Sequence, residues 1–325
     1  MNPFDCDKRY EETMQTTPQS LNEQLTLRSQ GFALDRDPQS FGELRRSADL
    51  AGDSAALRQR LAEDGYLYLP GYLDRAAVAE GRAEILRRLK ILGALHPTAP
   101  MLDGVAHSEY RSTIQPALTR DNPPLDRVLY TGKLLALYEG LLGGPIRHFD
   151  YTWLRALAPG LGTTPHCDIV YMGRGTPRLF TAWVPFGDIT LDVGGLMVLE
   201  GSHRQQARLK RYLTRDVDEY CSNQPRGAEV AAGQRLWEFD GALSKNPVSL
   251  RQKLGGRWLT SSKFSLGDVV TFGMATVHGS LDNQSDRIRL STDSRYQLAT
   301  EPADERWIGP NPIGHRRAGK RGRVC

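Results

Sequence analysis

From Ile146 to Ala299 the chain is written as short runs of strand-forming residues cut by turns. IRHFDYTWLRALAP, PHCDIVYM, LFTAWVPFGDI and LMVLE form one block, and SSKFSLGDVVTFGMATVHGS and DRIRLSTDSRYQLA form a second. Runs of this length, with turn signals at Gly194-Gly195 and Gly267-Asp268, read as short antiparallel strands. Two such blocks predict a mainly β body with flanking helices, built as an antiparallel double-sheet jelly roll. Between them, residues 204–259 lose strand character and carry charged, helix-like patches. That stretch is too long for an ordinary connection and is read as an inserted lid or wall.

Ahead of the strands the pattern is helical. SAALRQRLAEDG reads as a helix with Ser54 as N-cap and Gly65 just past its end. Tyr66–Pro70 follows as a strand. Asp74 then caps a long helix whose Ala77, Ile85, Leu86, Leu89 and Leu92 are spaced for one buried face. A further helix is expected near Pro124–Leu142, ending at Gly143-Gly144. Residues 1–50 show no sustained period, with short helices expected around Ser20–Ser29 and Ser40–Leu50. The expected organisation is a wrapping N-terminal extension (1–53), a jelly-roll domain with a helical N-terminal part (54–300, insert at about 204–259) and a basic C-terminal tail (301–325).

Charge narrows the partners. Arg316, Arg317, Lys320, Arg321 and Arg323 crowd the end of the tail, and these five outnumber the formal net charge of +4. The remaining body is close to neutral, which argues against nucleic acid as a partner, and the tail reads as a solvated end. No apolar run is long enough to span a membrane, and the N-terminus lacks the pattern of a secretory signal. Cys6, Cys167, Cys221 and Cys325 are scattered without a C-x-x-C pair. That spacing suits a reducing, cytoplasmic setting without a disulfide framework. A small-molecule substrate is the expected partner, and self-association into a homo-oligomer is left open.

His166 and Asp168 stand two residues apart in PHCDIVYM. Read as a strand, this segment projects the imidazole and the carboxylate to one face and Cys167 to the other. That is two thirds of a 2-His-1-carboxylate facial triad, a donor set that leaves positions open at Fe(II). His278 is the candidate third donor, because a jelly roll can lay a strand near the chain's end beside an earlier one. An ordinary hydrogen-bonded histidine and a cap carboxylate are the competing readings of His166 and Asp168. His96, His107 and His148 have no partner by spacing, with His107 and His148 kept as alternatives that could face the substrate. His203 reads as structural, with Ser202 capping a turn. After His278 the chain returns as DRIRLSTDSRYQ, with Arg287 and Arg289 on one face and Ile288 and Leu290 on the other. An arginine facing a polar pocket suits a planar carboxylate, gripped in bidentate fashion; Arg287, beside the turn, reads as solvent-facing.

The segments PHCD, TAWVPFGDIT, GGLMVLEGSH, FSLGDVVTF and VHGSLDNQSDRIRLSTDSRYQ run in this order over roughly Tyr66 to Tyr296. Together they resemble the phytanoyl-CoA dioxygenase family, Fe(II)- and 2-oxoglutarate-dependent oxygenases on a double-stranded β-helix. The resemblance implies that His166, Asp168 and His278 ligate iron and that Arg289 binds the distal carboxylate of 2-oxoglutarate. It implies that Trp183 and Ser280 help hold this cosubstrate, with Trp153 at the place of a further contact. Fe(II), 2-oxoglutarate and O2 are then required, succinate and CO2 are released, and a small molecule is hydroxylated or otherwise oxidised. Asp168 stands where the family's halogenases carry a small residue, which favours hydroxylation. Cys167 stands where related hydroxylases often carry a polar amide, and a thiol beside iron is prone to oxidation. Two readings from other classes stand beside this one: a non-catalytic jelly-roll module that binds small molecules, and a cupin-like metalloenzyme that does not use 2-oxoglutarate. Only the oxygenase needs Arg289.

Overall fold

The computed structural model describes residues 25–218, Glu229, Ala232, Gln234, 239–312 and Gly314. The five basic residues of the tail, Cys6, Cys221, Cys325, His315 and part of the helix expected over Ser20–Ser29 lie outside them. The strands, in chain order, are β1 (Arg28–Ser29), β2 (Phe32–Ala33), β3 (Phe41–Glu43), β4 (Tyr66–Leu69), β5 (Ile146–His148), β6 (Trp153–Leu157), β7 (Phe180–Pro185), β8 (Ile189–Thr190), β9 (Leu196–Leu199), β10 (Trp258–Thr260), β11 (Lys263–Phe264), β12 (Val269–Gly273), β13 (His278–Ser280) and β14 (Arg289–Leu298). The helices are α1 (Ser54–Asp64), α2 (Arg75–Ile91), α3 (Pro123–Tyr130), α4 (Lys133–Leu142), the single turn α5 (Ile169–Met172), α6 (Gln206–Leu213) and α7 (Pro247–Leu254). The result is a mixed α/β body with several antiparallel sheets, and none of its described helices is long and apolar enough to cross a membrane.

A six-stranded antiparallel sheet runs β4-β12-β7-β14, with β5 and β6 sharing the far side of β14. Side chains alternate across a strand, so this sheet has two distinct faces. One face, with Leu67, Leu69, Leu154, Ala156, Ala182, Val184, Leu290 and Tyr296, is buried under α1–α4. There Tyr138 of α4 stacks on Tyr296 at 4.2 Å, and its hydroxyl meets that of Thr271 at 2.7 Å. The other face carries Tyr66, Tyr68, Trp183, Val270 and Phe272, which pack with Leu196, Val198 and Leu259 of a four-stranded sheet ordered β13-β9-β10-β3. The site lies between these two inner faces.

Several local expectations need correction. The α1 N-cap is Asp53, whose carboxylate accepts the Ala55 and Ala56 N–H groups, one residue before Ser54. Gly65 does end the helix, at φ 79°. Asp74 caps α2, but the buried stripe is Val78, Gly81, Ile85, Leu86 and Leu89, while Leu92 is 58% exposed. The helix expected over Pro124–Leu142 is two helices, broken at Thr131-Gly132 where Gly132 takes φ 59°.

Where described, the N-terminal segment is helical only in the 3-10 turn Ala48–Leu50, at the end of the expected Ser40–Leu50 helix. β1 and β2 form a hairpin whose turn residues Gln30 and Gly31 both take positive φ, 53° and 79°, the turn that matches strand twist. Both turn N–H groups donate to the carboxylate of Asp282, at 2.8 Å each, and Ser29 donates to the Ser280 carbonyl. Past the hairpin, β3 adds to β10 as a parallel strand. Sequence periodicity missed this because each strand is two or three residues long.

Candidate active site

The PHCDIVYM segment is not a strand. His166 makes one antiparallel bridge with His278, and Asp168 already opens the α5 turn. The bridge nevertheless does what a strand would. His166 N–H donates to the His278 carbonyl at 2.9 Å and His278 N–H returns to the His166 carbonyl at 3.0 Å. Directly opposed residues of a hydrogen-bonded pair send their side chains to the same face, and the two rings lie 4.2 Å apart. The turn at Asp168 then folds its carboxylate back between them. His166 Nε2 and His278 Nε2 stand 3.6 and 3.7 Å from Asp168 Oδ1. One donor atom from each of the three lies within 4.8 Å of the others, all buried.

Each donor is oriented by a second contact. The His166 and His278 Nδ1 atoms donate to the carbonyls of Thr164 (2.7 Å) and Thr276 (3.0 Å). That fixes the proton on Nδ1 and leaves the Nε2 lone pairs for the shared centre. Burial, then the neighbouring His166, pushes the His278 imidazole down to about 3, so it is neutral and able to ligate at ordinary pH. Asp168 Oδ2 accepts from Thr181 Oγ1 at 2.5 Å and from the Arg295 guanidinium at 3.1 Å. Burial alone would raise this carboxyl, but Arg295 and the two imidazoles hold it well below the usual range. With Oδ2 occupied, Oδ1 faces the histidines. Two imidazoles with Nε2 aimed at a common point and one carboxylate oxygen, all oriented before any ion arrives, fit a divalent transition metal.

Cys167 points away. Its Sγ packs among Leu191, Met197 and Leu281 and reaches the Ala275 carbonyl at 3.5 Å. Burial and the Asp168 charge push the thiol pKa up, so it is not the exposed thiolate that oxidation needs.

A cavity of about 320 Å³ opens over the triad. Its wall includes His166, Asp168, Trp153, Arg155, Arg295, Tyr171, Met172, Ile114 and Leu157, with Asp240 and Ala242 reaching in from the 204–259 insert. Of the expected cosubstrate residues only Trp153 lies on this wall; the Arg295 guanidinium stacks over its ring at 4.7 Å. Trp183 is on the same inner face but edge-on against Phe264 at 4.8 Å. The Ser280 hydroxyl accepts the Thr163 N–H at 2.8 Å and donates to the Leu281 carbonyl. Arg289 is buried on the inner face of β14, in register with Leu157, and lies next to the triad cavity rather than on its wall. Its Nη1 donates to the Gly194 carbonyl at 2.5 Å, while its Nε, and Ser291 Oγ two residues on, are buried without a partner. Burial, then the nearby Arg155, lowers its pKa to about 9. Two orphaned donors and a desolvated guanidinium on one face suit a carboxylate such as the distal end of 2-oxoglutarate.

Arg155, Arg295, Thr181 and Tyr212 were not singled out in the sequence. Arg295 was within reach of it, since Arg289, Ser291, Asp293 and Arg295 share one face of β14 by simple alternation. Tyr212, in the insert, accepts the Cys167 N–H and donates to the Gly241 carbonyl; no pattern announces such a contact. His203 is structural as expected, meeting the Ala62 carbonyl, and Ser202 Oγ accepts the Val277 N–H.

The phytanoyl-CoA dioxygenase family model matches residues 61–291, well over half of the chain and the whole span from His166 to Arg289. This chain belongs to the phytanoyl-CoA dioxygenase family. It is thus a non-haem iron, 2-oxoglutarate-dependent oxygenase, and the site described above is this family's His-Asp-His arrangement. The 1-deoxypentalenic acid 11-beta-hydroxylase of Streptomyces arenae is 26% identical over 294 residues, covering 86% of this chain and 94% of that protein. The enzyme of the same name from Streptomyces exfoliatus is 27% identical over 282 residues, covering 83% and 90%. Among solved structures, EctD from S. alaskensis superposes with a TM-score of 0.52 at 19% identity, covering 87% of this chain and 90% of that one. At that identity the likeness speaks for the fold.

Proposed function

We propose that this family member hydroxylates a small molecule in the cavity over the triad, on a double-stranded β-helix formed by the two facing sheets. In this reading His166 Nε2, Asp168 Oδ1 and His278 Nε2 hold Fe(II), and Arg289 anchors the distal carboxylate of 2-oxoglutarate, with Ser280 and Trp183 shaping its slot. Iron with 2-oxoglutarate supplies the oxidising chemistry when bound. The protein's own work is orientation and exclusion. Thr164 and Thr276 keep the imidazoles aimed, and Arg295 with Thr181 keeps Asp168 to one free oxygen. Ile114, Leu157 and Met172 give the cavity an apolar stretch of wall, beside the polar Arg155, Asp240 and Arg295. The insert supplies part of this wall, so substrate choice is set there in part. The curated relatives are hydroxylases of a small carboxylic acid by name, which agrees with a cavity of this size.

The observation that carries the reading is the convergence of three oriented donors within 4.8 Å in a buried site. The test is anaerobic titration of Fe(II)-loaded protein with 2-oxoglutarate, following the visible charge-transfer band of the chelate. The band should form in wild type and be lost in His166→Ala. A folded, iron-loaded wild type without the band would return the site to the binding-module or cupin-like readings.

A further inference from the structure

A second cavity, of about 220 Å³, lies at the end of the six-stranded sheet where β7 ends and β14 begins, lined by α2 and by Ile288 and Leu290 as well as by Arg289 of the inner face. Arg75 and Arg82 of α2 and Arg287 and Arg289 of the β14 approach all line it, against two carboxylates, Asp103 and Asp188. Asp188 is already engaged by Lys263 at 2.8 Å. Among the described residues none of the four arginines has a close carboxylate partner. Arg82 donates to the Phe186 and Leu102 carbonyls, Arg75 only approaches the Leu266 carbonyl at 3.5 Å, and Arg287 lies 4.0 Å from its neighbour Asp286. Arg289, 1% exposed, spends Nη1 on Gly194 and keeps Nε unpartnered. Four guanidiniums thus face two carboxylates, one of them already engaged by Lys263, and an oxyanion would relieve the excess positive charge.

We propose that this cleft is a second anion-binding site, for a small dianion of the dicarboxylate or phosphate type, with Arg289 as the floor it shares with the cosubstrate slot. The register supports the shared floor. Leu157, opposite Arg289 on β6, lines the triad cavity, while Arg289 itself lines the second. An anion drawn in by Arg75 and Arg287 competes for the guanidinium that the distal carboxylate of 2-oxoglutarate needs. The two ligands therefore weaken each other, reciprocally. The site stands on the cleft alone; its coupling to 2-oxoglutarate rests on the proposed role of Arg289.

The experiment is calorimetric titration of metal-free protein, freed of chelator by gel filtration, with inorganic phosphate and separately with succinate. Ionic strength is held constant with chloride. The comparison is the double variant Arg75→Gln/Arg287→Gln, whose altered side chains are both solvent-exposed. Wild type should bind one anion, and the variant should bind it at least about tenfold more weakly. Whichever of phosphate and succinate binds more tightly identifies the favoured geometry. In Fe(II)-loaded wild type the same anion should raise the apparent Kd for 2-oxoglutarate, and this effect should vanish in the variant. Equal binding by both proteins, or none by wild type, overturns the site. Normal anion binding with an unmoved 2-oxoglutarate Kd overturns the shared floor only. A wild type that forms no chelate in anion-free buffer is instead a failure of the oxygenase reading, and leaves the calorimetry to decide the cleft.

Discussion

Replacing Arg289 by Gln tests the cosubstrate assignment most directly. The guanidinium is 1% exposed, holds the Gly194 carbonyl through Nη1 at 2.5 Å, and offers Nε and Nη2 as a parallel pair. A carboxylate seated on that pair gains two charge-assisted hydrogen bonds, worth about 1.5–3 kcal/mol each. Losing both removes about 3–6 kcal/mol, so the Kd for 2-oxoglutarate should rise by about a hundredfold to ten-thousandfold. Arg289→Lys keeps the charge without the fork and should fall between. The assay is the anaerobic charge-transfer titration at saturating Fe(II), with Fe(II) affinity measured first without cosubstrate, where the variants should match wild type. Pyruvate, which chelates but has no distal carboxylate, is the internal control: wild type and variant should bind it alike. A 2-oxoglutarate Kd in Arg289→Gln within about threefold of wild type, with iron bound, would refute the assignment.

The metal-free protein should lose stability in acid through His278. Its folded pKa of about 3 lies below the unfolded value of about 6.5. The unfolded chain therefore takes up a proton that the folded one refuses as pH falls below about 6.5. The cost grows by about 1.4 kcal/mol per pH unit and reaches about 2 kcal/mol at pH 5; urea unfolding at pH 7.5 and pH 5 should show this slope in wild type and a shallower one in His278→Gln. Gly81→Ala should lower Tm by a few degrees although alanine favours helices, because its Cβ would sit 2.7 Å from Phe186 Cε1 in a packed core. A rise in Tm would mean that Phe186 has room to move. Cys167 should resist iodoacetamide in native protein and react once the chain is denatured, as peptide mass mapping would show.

The chemistry of the site was more legible than its backbone. Residue types carried the triad: two histidines and an aspartate at the right separations, then an arginine on a long alternating strand. What the sequence did not show is how His166 and Asp168 reach the same point. Alternation predicted a strand, whereas a single backbone bridge and a tight turn do the work, since Asp168 is held from the far side by Thr181 and Arg295. Those two are recruited by sheet pairing, in which Arg295 faces Thr181 across β14 and β7. Pairing of that kind joins positions more than a hundred residues apart and leaves no local pattern. The α2 stripe erred at Leu92 because the helix stops at Ile91, so the final turn never reaches the sheet. The N-terminal strands escaped because two residues cannot display a period.

The β1–β2 hairpin has a consequence for how the chain is made. Its anchors are Ser280 and Asp282, 251 and 252 residues further on. The hairpin also holds Thr164, whose hydroxyl donates to the Gln30 side chain and whose carbonyl orients His166. At synthesis rates of about 5–20 residues per second, residues 29–31 wait roughly 12 to 50 seconds for residues 280–282. Over that interval Gln30 has no Asp282 to satisfy its turn, and for the later part of it His166, already made, has no His278 to bridge. Nascent chains stalled before residue 282 should remain open to proteolysis at 28–34 and should not retain iron. Competence for the metal is acquired in one late step, when residues 278–282 come back to His166 and to the β1–β2 hairpin.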